Sequence, residues 1–155
     1  MKNIIIKIGG ITLLISILLF TAFLSYIYSK QERIVFAATQ LPYDYEFEFN
    51  KPFKEVNLTT NDAVNLNGVH FQVANSKGVI LYFHGNSGDL SRWGAIAEYY
   101  TTLQYDILVV DYRTYGKSTG EIDELKMLND TQIWYNYLFQ KLCILLKGVF
   151  FEIQD

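Results

Sequence analysis

Two chemical signatures overlap in residues 115–120, YGKSTG. Residues 116–120 match G-x-S-x-G, the pattern in which a hydrolase serine attacks a carbonyl from a sharp strand-to-helix turn. Gly116, Lys117 and Ser118 also match the end of a phosphate-binding loop, where the lysine contacts phosphate oxygens. Ser118 could therefore be a nucleophile, Lys117 a phosphate ligand, or the whole segment only a turn. The residues on either side decide between these three interpretations.

The phosphate-loop interpretation fails on spacing. It needs a glycine five residues before Gly116, and that position is Asp111. The residues between them, YRTY, are bulky, whereas a phosphate loop needs small residues so that several backbone N–H groups can surround the anion. The sequence therefore predicts no nucleotide binding.

The nucleophile interpretation fails on position. A nucleophilic serine lies where a strand ends and a helix begins at once. Here the apolar strand pattern ends near Asp111, and helix-forming residues begin only near Asp123. Ser118 is therefore predicted to lie in the middle of a loop hinged by Gly116 and Gly120, with its hydroxyl bonded to nearby backbone.

The elements around this loop predict an α/β fold. Short, continuously apolar runs at 79–84 and 106–112 indicate buried strands of a parallel sheet. Helices are predicted at about 90–103 and about 123–142, so strands alternate with helices. The loops 84–89, HGNSGD, and 112–121 both follow carboxyl ends of strands. We therefore expect them at the same edge of the sheet, where such sheets bind ligands.

Upstream of this pattern, residues 54–60 and 64–73 predict two strands joined by a turn at Asn61 and Asp62. In residues 43–49 aromatic and acidic side chains alternate, which predicts an extended segment packed on the domain through its aromatic face. Asp89 is placed to cap the helix that begins near residue 90.

The N-terminus predicts a membrane anchor. Residues 8–29 carry no charge and as a helix would extend about 33 Å, enough for a hydrocarbon core of roughly 30 Å. This apolar run is longer than that of a cleaved signal peptide, and no convincing cleavage site follows it. We predict a single-pass helix in the lipid bilayer. Lysine and arginine are balanced across it, so the sequence does not set its orientation.

The two loops with their strands, LYFHGNSGDLSRWG at 81–94 and ILVVDYRTYGKSTGE at 107–121, resemble the front half of the α/β-hydrolase superfamily. The resemblance is to the membrane-anchored serine hydrolase branch with a His-Gly-Asn loop, and it extends over residues 31–141. It implies that the first loop helps form the oxyanion hole, that the second is architectural, and that the nucleophile follows a later strand. Thr114 stands where this family usually has glycine.

The resemblance also implies individual roles. Asn86, and after it Ser87, would present a backbone N–H to the substrate carbonyl, with Gly85 and Gly88 allowing the necessary torsions. His84 is expected to orient this loop, because the catalytic histidine of the fold comes last in the chain. The remaining residues expected to hold the loops in place are Asp111, Arg113, Gly116, Ser118 and Gly120.

Beyond Lys141 the resemblance stops. No second G-x-S-x-G and no later Asp and His follow, so the catalytic residues are predicted to be absent from this chain. The predicted organisation is an anchor at 1–30, half of a hydrolase domain at 31–141 and a divergent or frameshifted tail at 142–155. The strand 106–112 is expected to have one unpaired edge, which GVFFEI in the tail could cover.

These observations predict a membrane-anchored hydrolase-family protein whose intact form would cleave esters, thioesters or amides, and which is inactive as this fragment. The alternative is a non-catalytic, membrane-tethered binding module. A net charge of −3 without a basic cluster argues against nucleic acid as a partner. Cys143 is the only cysteine, and His70 is expected to be structural, so no metal or cofactor is predicted.

Overall fold

The computed structural model describes residues 2–145, with the side chains of 3–31 and 35–141. It divides into two compact units, and the first ends at Ala37. This unit is helix α1, Lys2–Val35, whose side chains at Asn3–Gln31 are unburied. The helix is long and apolar enough to cross a membrane, a property that a signal sequence at an N-terminus shares.

The second unit is a mixed sheet with helices on both faces. Its strand order is β2-β3-β6-β4, in which β2–β3 and β3–β6 are antiparallel and β4–β6 is parallel. The element bounds are β1 Ala37–Ala38, β2 Phe53–Thr59, β3 Asn65–Phe71, β4 Val79–Phe83, β5 Ser87–Gly88, α2 Leu90–Trp93, α3 Ile96–Thr102, β6 Asp106–Val110 and α4 Glu124–Leu145. The predicted strands, the hairpin and the βαβ unit β4-α2-α3-β6 are therefore confirmed.

The side chains of β6 alternate between two apolar clusters, one on each face of the sheet. Ile107 and Val109 join the cluster under α2 and α3, whereas Leu108 and Val110 join the cluster under α4. Trp134 of α4 is buried at the centre of the second cluster. Because successive strand residues point to opposite faces, a continuously apolar strand needs a covering layer on both sides, and the helices provide it.

Residues 43–49 run extended without joining a ladder in the described structure. Their burial alternates as predicted: Phe47 is buried, Tyr45 and Phe49 are half-buried, and the acidic residues between them are exposed. The rings of Phe47 and Phe49 stack with their centroids 5.9 Å apart. This segment completes the cluster under α2 and α3.

The helix predicted at 90–103 is wrong as a single element, because it is interrupted between α2 and α3. Asp89 caps α2 as expected, accepting a hydrogen bond from the Ser91 N–H at 2.8 Å. At the break, Ala97 donates to the Gly94 carbonyl, a contact three residues apart instead of four. A side chain at Gly94 would collide with the ring of Phe49, so the chain approaches the aromatic segment closely here.

The prediction of an unpaired edge on the strand 106–112 is also wrong. β6 pairs with β3 on one side and with β4 on the other, because the crossover through α2 and α3 places β4 outside β6. Within residues 2–145, β4 is the edge strand, and all five of its residues are half-buried. The predicted tail strand GVFFEI lies outside the described residues.

Candidate functional site

The two loops meet at one edge of the sheet, as predicted. Phe83 pairs with Val110 at the end of the parallel ladder, so the next residues, His84 and Asp111, become neighbours. His84 Nε2 lies 3.0 Å from Asp111 Oδ1, and both side chains are completely buried. The sheet register therefore joins a histidine and a carboxylate that are 27 residues apart in sequence.

The proton positions on His84 follow from its neighbours. Its Nδ1 lies 2.6 Å from the Gly85 carbonyl oxygen, which can only accept, so Nδ1 carries a hydrogen. Nε2 faces Asp111, whose pKa is raised by burial and lowered less by the hydrogen bond to His84. The pair thus holds one proton between Nε2 and Oδ1. Neither ring nitrogen has a lone pair directed at a substrate, so His84 is a positioning residue.

Each carbonyl of residues 84–87 accepts a hydrogen bond from a side chain. The His84 carbonyl accepts from the Tyr112 hydroxyl at 2.8 Å, and the Gly85 carbonyl from His84 itself. The Asn86 carbonyl accepts from the Tyr115 hydroxyl at 2.8 Å, and the Ser87 carbonyl from the Trp93 indole N–H at 2.7 Å. Four consecutive peptide planes are thereby fixed.

The fixed carbonyls determine where the N–H groups point. The peptides are trans, so each N–H points opposite to the carbonyl in the same plane. The Gly85 carbonyl faces buried His84 and the Asn86 carbonyl faces buried Tyr115. The N–H groups of Asn86 and Ser87 therefore point away from those side chains, on the side where Gly85 and Asn86 are exposed. This orientation suits donors to a bound oxyanion.

The aromatic residues of this scaffold were not predicted. Burial raises the pKa of Tyr115 to about 12 and also raises the pKa of Tyr112, so both hydroxyls remain donors at neutral pH. Trp93 and Tyr112 also lie against the His84 ring. The only sequence signal was the presence of large aromatics within or beside polar loops, and that signal does not identify their hydrogen-bond partners.

The second loop is anchored by Gly116 to the segment that follows β1. Its N–H donates to the Thr39 carbonyl at 2.7 Å, and its carbonyl accepts from the Leu41 N–H at 2.8 Å. Its φ of +51° is in the left-handed region, and a side chain here would collide with the Asp111 carboxylate. Only glycine fits both demands. Gly88 and Gly120 also have positive φ.

Ser118 is a structural residue in this loop. Its side chain is buried, accepts a hydrogen bond from the Asn67 N–H at 2.9 Å and donates to the Asp111 carbonyl at 3.4 Å. Lys117 is equally occupied, since its Nζ lies 2.9 and 3.1 Å from the two carboxylate oxygens of Glu55. Neither side chain is placed to attack a substrate or hold a phosphate.

Arg113 ties the second loop to helix α4. Its Nε and Nη2 donate to the two oxygens of Asp130, each at 2.8 Å, and Nη1 donates to Asp62 at 3.2 Å. The guanidinium is almost completely buried, and the hydrogen bonds to Asp130 raise its pKa. Arg113 therefore connects the loop, α4 and the β2–β3 turn.

Thr114 is strained. Its φ is +72°, a conformation that β-branched residues rarely adopt. Its hydroxyl is buried and has no hydrogen-bond partner among the described atoms. The family-typical glycine at this position would avoid both costs.

Among the described residues, no three His, Cys, Asp or Glu side chains are grouped to hold a metal ion. His70, the second histidine, lies in β3 one residue from its end and pairs with Lys54 of β2. It is therefore remote from the loops at the carboxyl end of β4.

The strand order, the βαβ crossover and the two loops at its carboxyl edge are those of the N-terminal part of an α/β-hydrolase. The chain is 33% identical over 97 residues to protein bem46 of Schizosaccharomyces pombe, a match covering 60% of this chain and 32% of bem46. It is 27% identical over 84 residues to the uncharacterized protein YfhR of Escherichia coli, covering 51% and 30%. No family model matches.

Solved structures with this arrangement are hydrolases. The Pyrococcus furiosus esterase Pf2001 has a TM-score of 0.48 and 24% identity, over 64% of this chain and 42% of that one. An α/β-hydrolase from Vibrio vulnificus has a TM-score of 0.47 and 28% identity, over 56% and 29%. The chain thus spans about a third of the length of the curated relatives it matches.

Proposed function

We propose that this chain is the N-terminal part of a membrane-anchored serine hydrolase, and that its loop at 84–87 supplies the oxyanion hole. The N–H groups of Asn86 and Ser87 would donate to the oxygen that becomes negative when a serine attacks an ester, thioester or amide carbonyl. The supporting observation is the fixing of all four loop carbonyls by side chains.

The rigidity of the loop is what makes it suitable. An oxyanion donor lowers a barrier most when it is oriented before the reaction and costs no reorganisation during it. Here the planes are held by Tyr115, Trp93 and the buried His84–Asp111 pair. One such donor is worth on the order of 10²–10³ in rate.

The 155 residues by themselves would not turn over a substrate. The sequence contains two histidines, and His84 has both ring nitrogens engaged. His70 lies near the opposite end of the sheet. Ser118 is buried and hydrogen-bonded on both sides. The intact enzyme would therefore carry its nucleophile, acid and base on a further segment, which would extend the sheet from the edge of β4.

The anchor is part of the same proposal. Helix α1 exposes an apolar surface along Asn3–Gln31, and residues 8–29 would lie in the hydrocarbon core. Retention of the intact protein in membranes washed with alkaline carbonate is the expected result. Release of a shorter product lacking α1 would identify a cleaved signal sequence instead.

A chimera tests the oxyanion role. Residues 38–141 would replace the matching part of the Pyrococcus furiosus esterase, and hydrolysis of p-nitrophenyl acetate would be measured. Asn86→Pro removes the backbone N–H and should lower kcat on the order of 10²-fold or more, whereas Asn86→Ala keeps it and should change kcat little. Equal losses in both variants, or a folded chimera without esterase activity, would contradict the proposal.

A fluorophosphonate probe, which labels activated serines, tests the absence of turnover. The full 155-residue protein should not be labelled. Labelling that disappears in Ser118→Ala would refute the structural role of that serine. Specific binding of a partner to an unlabelled protein through β4 would favour the alternative function, a membrane-tethered interaction module.

A further inference from the structure

A second polar cavity lies at the end of the sheet opposite to the loop at 84–87. It has a volume of about 80 Å³ and lies between the first residues of β4 and β6 and the last turns of α4. A single water needs roughly 10–15 Å³ on this measure, so the cavity has room for a small solute. A five-residue strand separates it by about 13 Å from the edge that carries His84.

His70 supplies an unpaired polar atom to this cavity. The residue is 7% exposed, and its Nε2 has no hydrogen-bond partner among the described atoms. An unsatisfied buried group of this kind costs about 1–3 kcal/mol, and native proteins rarely leave one without a ligand or water. Burial lowers the pKa of His70, which favours the neutral ring at pH 7. A neutral ring with its hydrogen on Nε2 can donate one hydrogen bond into the cavity.

Two lysines give the cavity a positive charge. Lys54 stands opposite His70 in the β2–β3 ladder, and Lys141 reaches the cavity from α4. In the described part of the chain neither ammonium lies within 4.0 Å of a carboxylate. Asp106, the one carboxylate of the lining, accepts a hydrogen bond from the Val73 N–H at 2.8 Å. Two positive charges and one negative charge therefore face the cavity.

We propose that this cavity binds a phosphate-sized oxyanion, held by Lys54, Lys141 and a hydrogen bond from His70. A metal cation would be repelled by the two ammonium groups, and an apolar ligand would leave Nε2 unpaired. The ligand can be a free inorganic anion or the phosphate of a larger molecule. This site is separate from the oxyanion-hole loop and does not depend on the proposed hydrolase function.

The test uses the full-length protein in uncharged detergent micelles, with sulfate as the probe because it stays a dianion across the pH range. The imidazole carbon-bound protons of His70 and His84 are followed by NMR. The expected result is a saturable shift at His70 and none at His84, with a rise in Tm. Chloride at matched ionic strength should produce neither effect. Absence of a saturable shift, or an equal response to chloride, would overturn the proposal.

Variants assign the site. Lys54→Gln and Lys141→Gln should each weaken sulfate binding by about tenfold, since each removes a charge-assisted contact. Lys126→Gln is the matched control: it removes the same charge from the same helix, 15 residues or about 22 Å away, and should leave the affinity unchanged. An equal loss in the control would show that only general charge attracts the anion, which contradicts a built site.

The pH dependence and the ligand source complete the test. Protonation of His70 adds a positive charge facing the anion, so sulfate affinity should rise as the pH falls below the ordinary histidine value of 6.5. The groups that share the cavity with His70 are Lys54, Asp106, Tyr137 and Lys141. Tighter binding of glycerol 3-phosphate than of inorganic phosphate would identify a phosphate ester, and the reverse order a free anion. A pH-independent affinity would remove His70 from the site.

Discussion

Replacing Thr114 with glycine is expected to stabilise this protein. Thr114 has a φ of +72°, and its buried hydroxyl lacks a partner among the described atoms. Glycine removes the left-handed strain, worth about 1–2 kcal/mol, and the unsatisfied hydroxyl, worth about 1–3 kcal/mol. Against this, the more flexible unfolded chain costs about 0.4–1 kcal/mol and the lost methyl contact about 0.8 kcal/mol. Mid-range values leave a net stabilisation of about 2 kcal/mol.

Two control variants separate the contributions. Thr114→Ala removes the hydroxyl but keeps the strain, so it should stabilise by only about 1 kcal/mol. Gln104→Gly relieves a similar φ of +65° at an exposed residue without a buried hydroxyl, and should stabilise by no more than about 1 kcal/mol. The order of the three variants therefore tests both causes.

The assay is urea unfolding of the full chain in micelles, followed by the fluorescence of Trp93 and Trp134. For an m-value of about 2 kcal/mol per molar, a gain of 2 kcal/mol raises the midpoint by about 1 M urea. A midpoint that falls or does not change in Thr114→Gly would refute the strain argument. Equal midpoints for the glycine and alanine variants would assign the whole effect to the hydroxyl.

Two further predictions concern buried charge. Asp130→Asn leaves the guanidinium beside it without its bidentate partner and should cost about 3–5 kcal/mol, whereas Asp62→Asn, at a 42% exposed side chain, should cost no more than about 1 kcal/mol; equal costs in urea unfolding would contradict this reasoning. Because burial lowers the pKa of His70, the unfolded chain binds more protons, so stability should fall as the pH drops below 6.5. His70→Gln, measured by thermal unfolding in a buffer without sulfate or phosphate, should reduce that decline, and an unchanged pH profile would show that other groups cause it.

Much of the fold was predictable because it follows from local patterns. Continuous apolar runs identified β4 and β6, and Asp89 marked the start of α2. The interruption between α2 and α3 was not predictable, because it depends on Gly94 meeting the ring of Phe49, which is 45 residues away. The edge strand was also misassigned. Which strand lies outermost depends on the crossover, and sequence order alone does not reveal it.

The candidate site divides in the same way. The spacing of the residues before Gly116 and the slack chain around Ser118 were enough to reject a phosphate loop and a nucleophile elbow. The sequence also indicated that the loops at 84–89 and 112–121 share one edge, because both follow parallel strands. These conclusions depend only on residue type and local order, which the sequence states directly.

Only the tertiary structure showed that His84 shares a proton with Asp111, and that Trp93, Tyr112 and Tyr115 hold the loop carbonyls. It also brought Lys54, His70 and Lys141 to one cavity. Hydrogen bonds act over about 3 Å in space, whereas these partners are up to 87 residues apart in sequence. Strand register and helix packing set those distances, and they are determined by the whole folded domain.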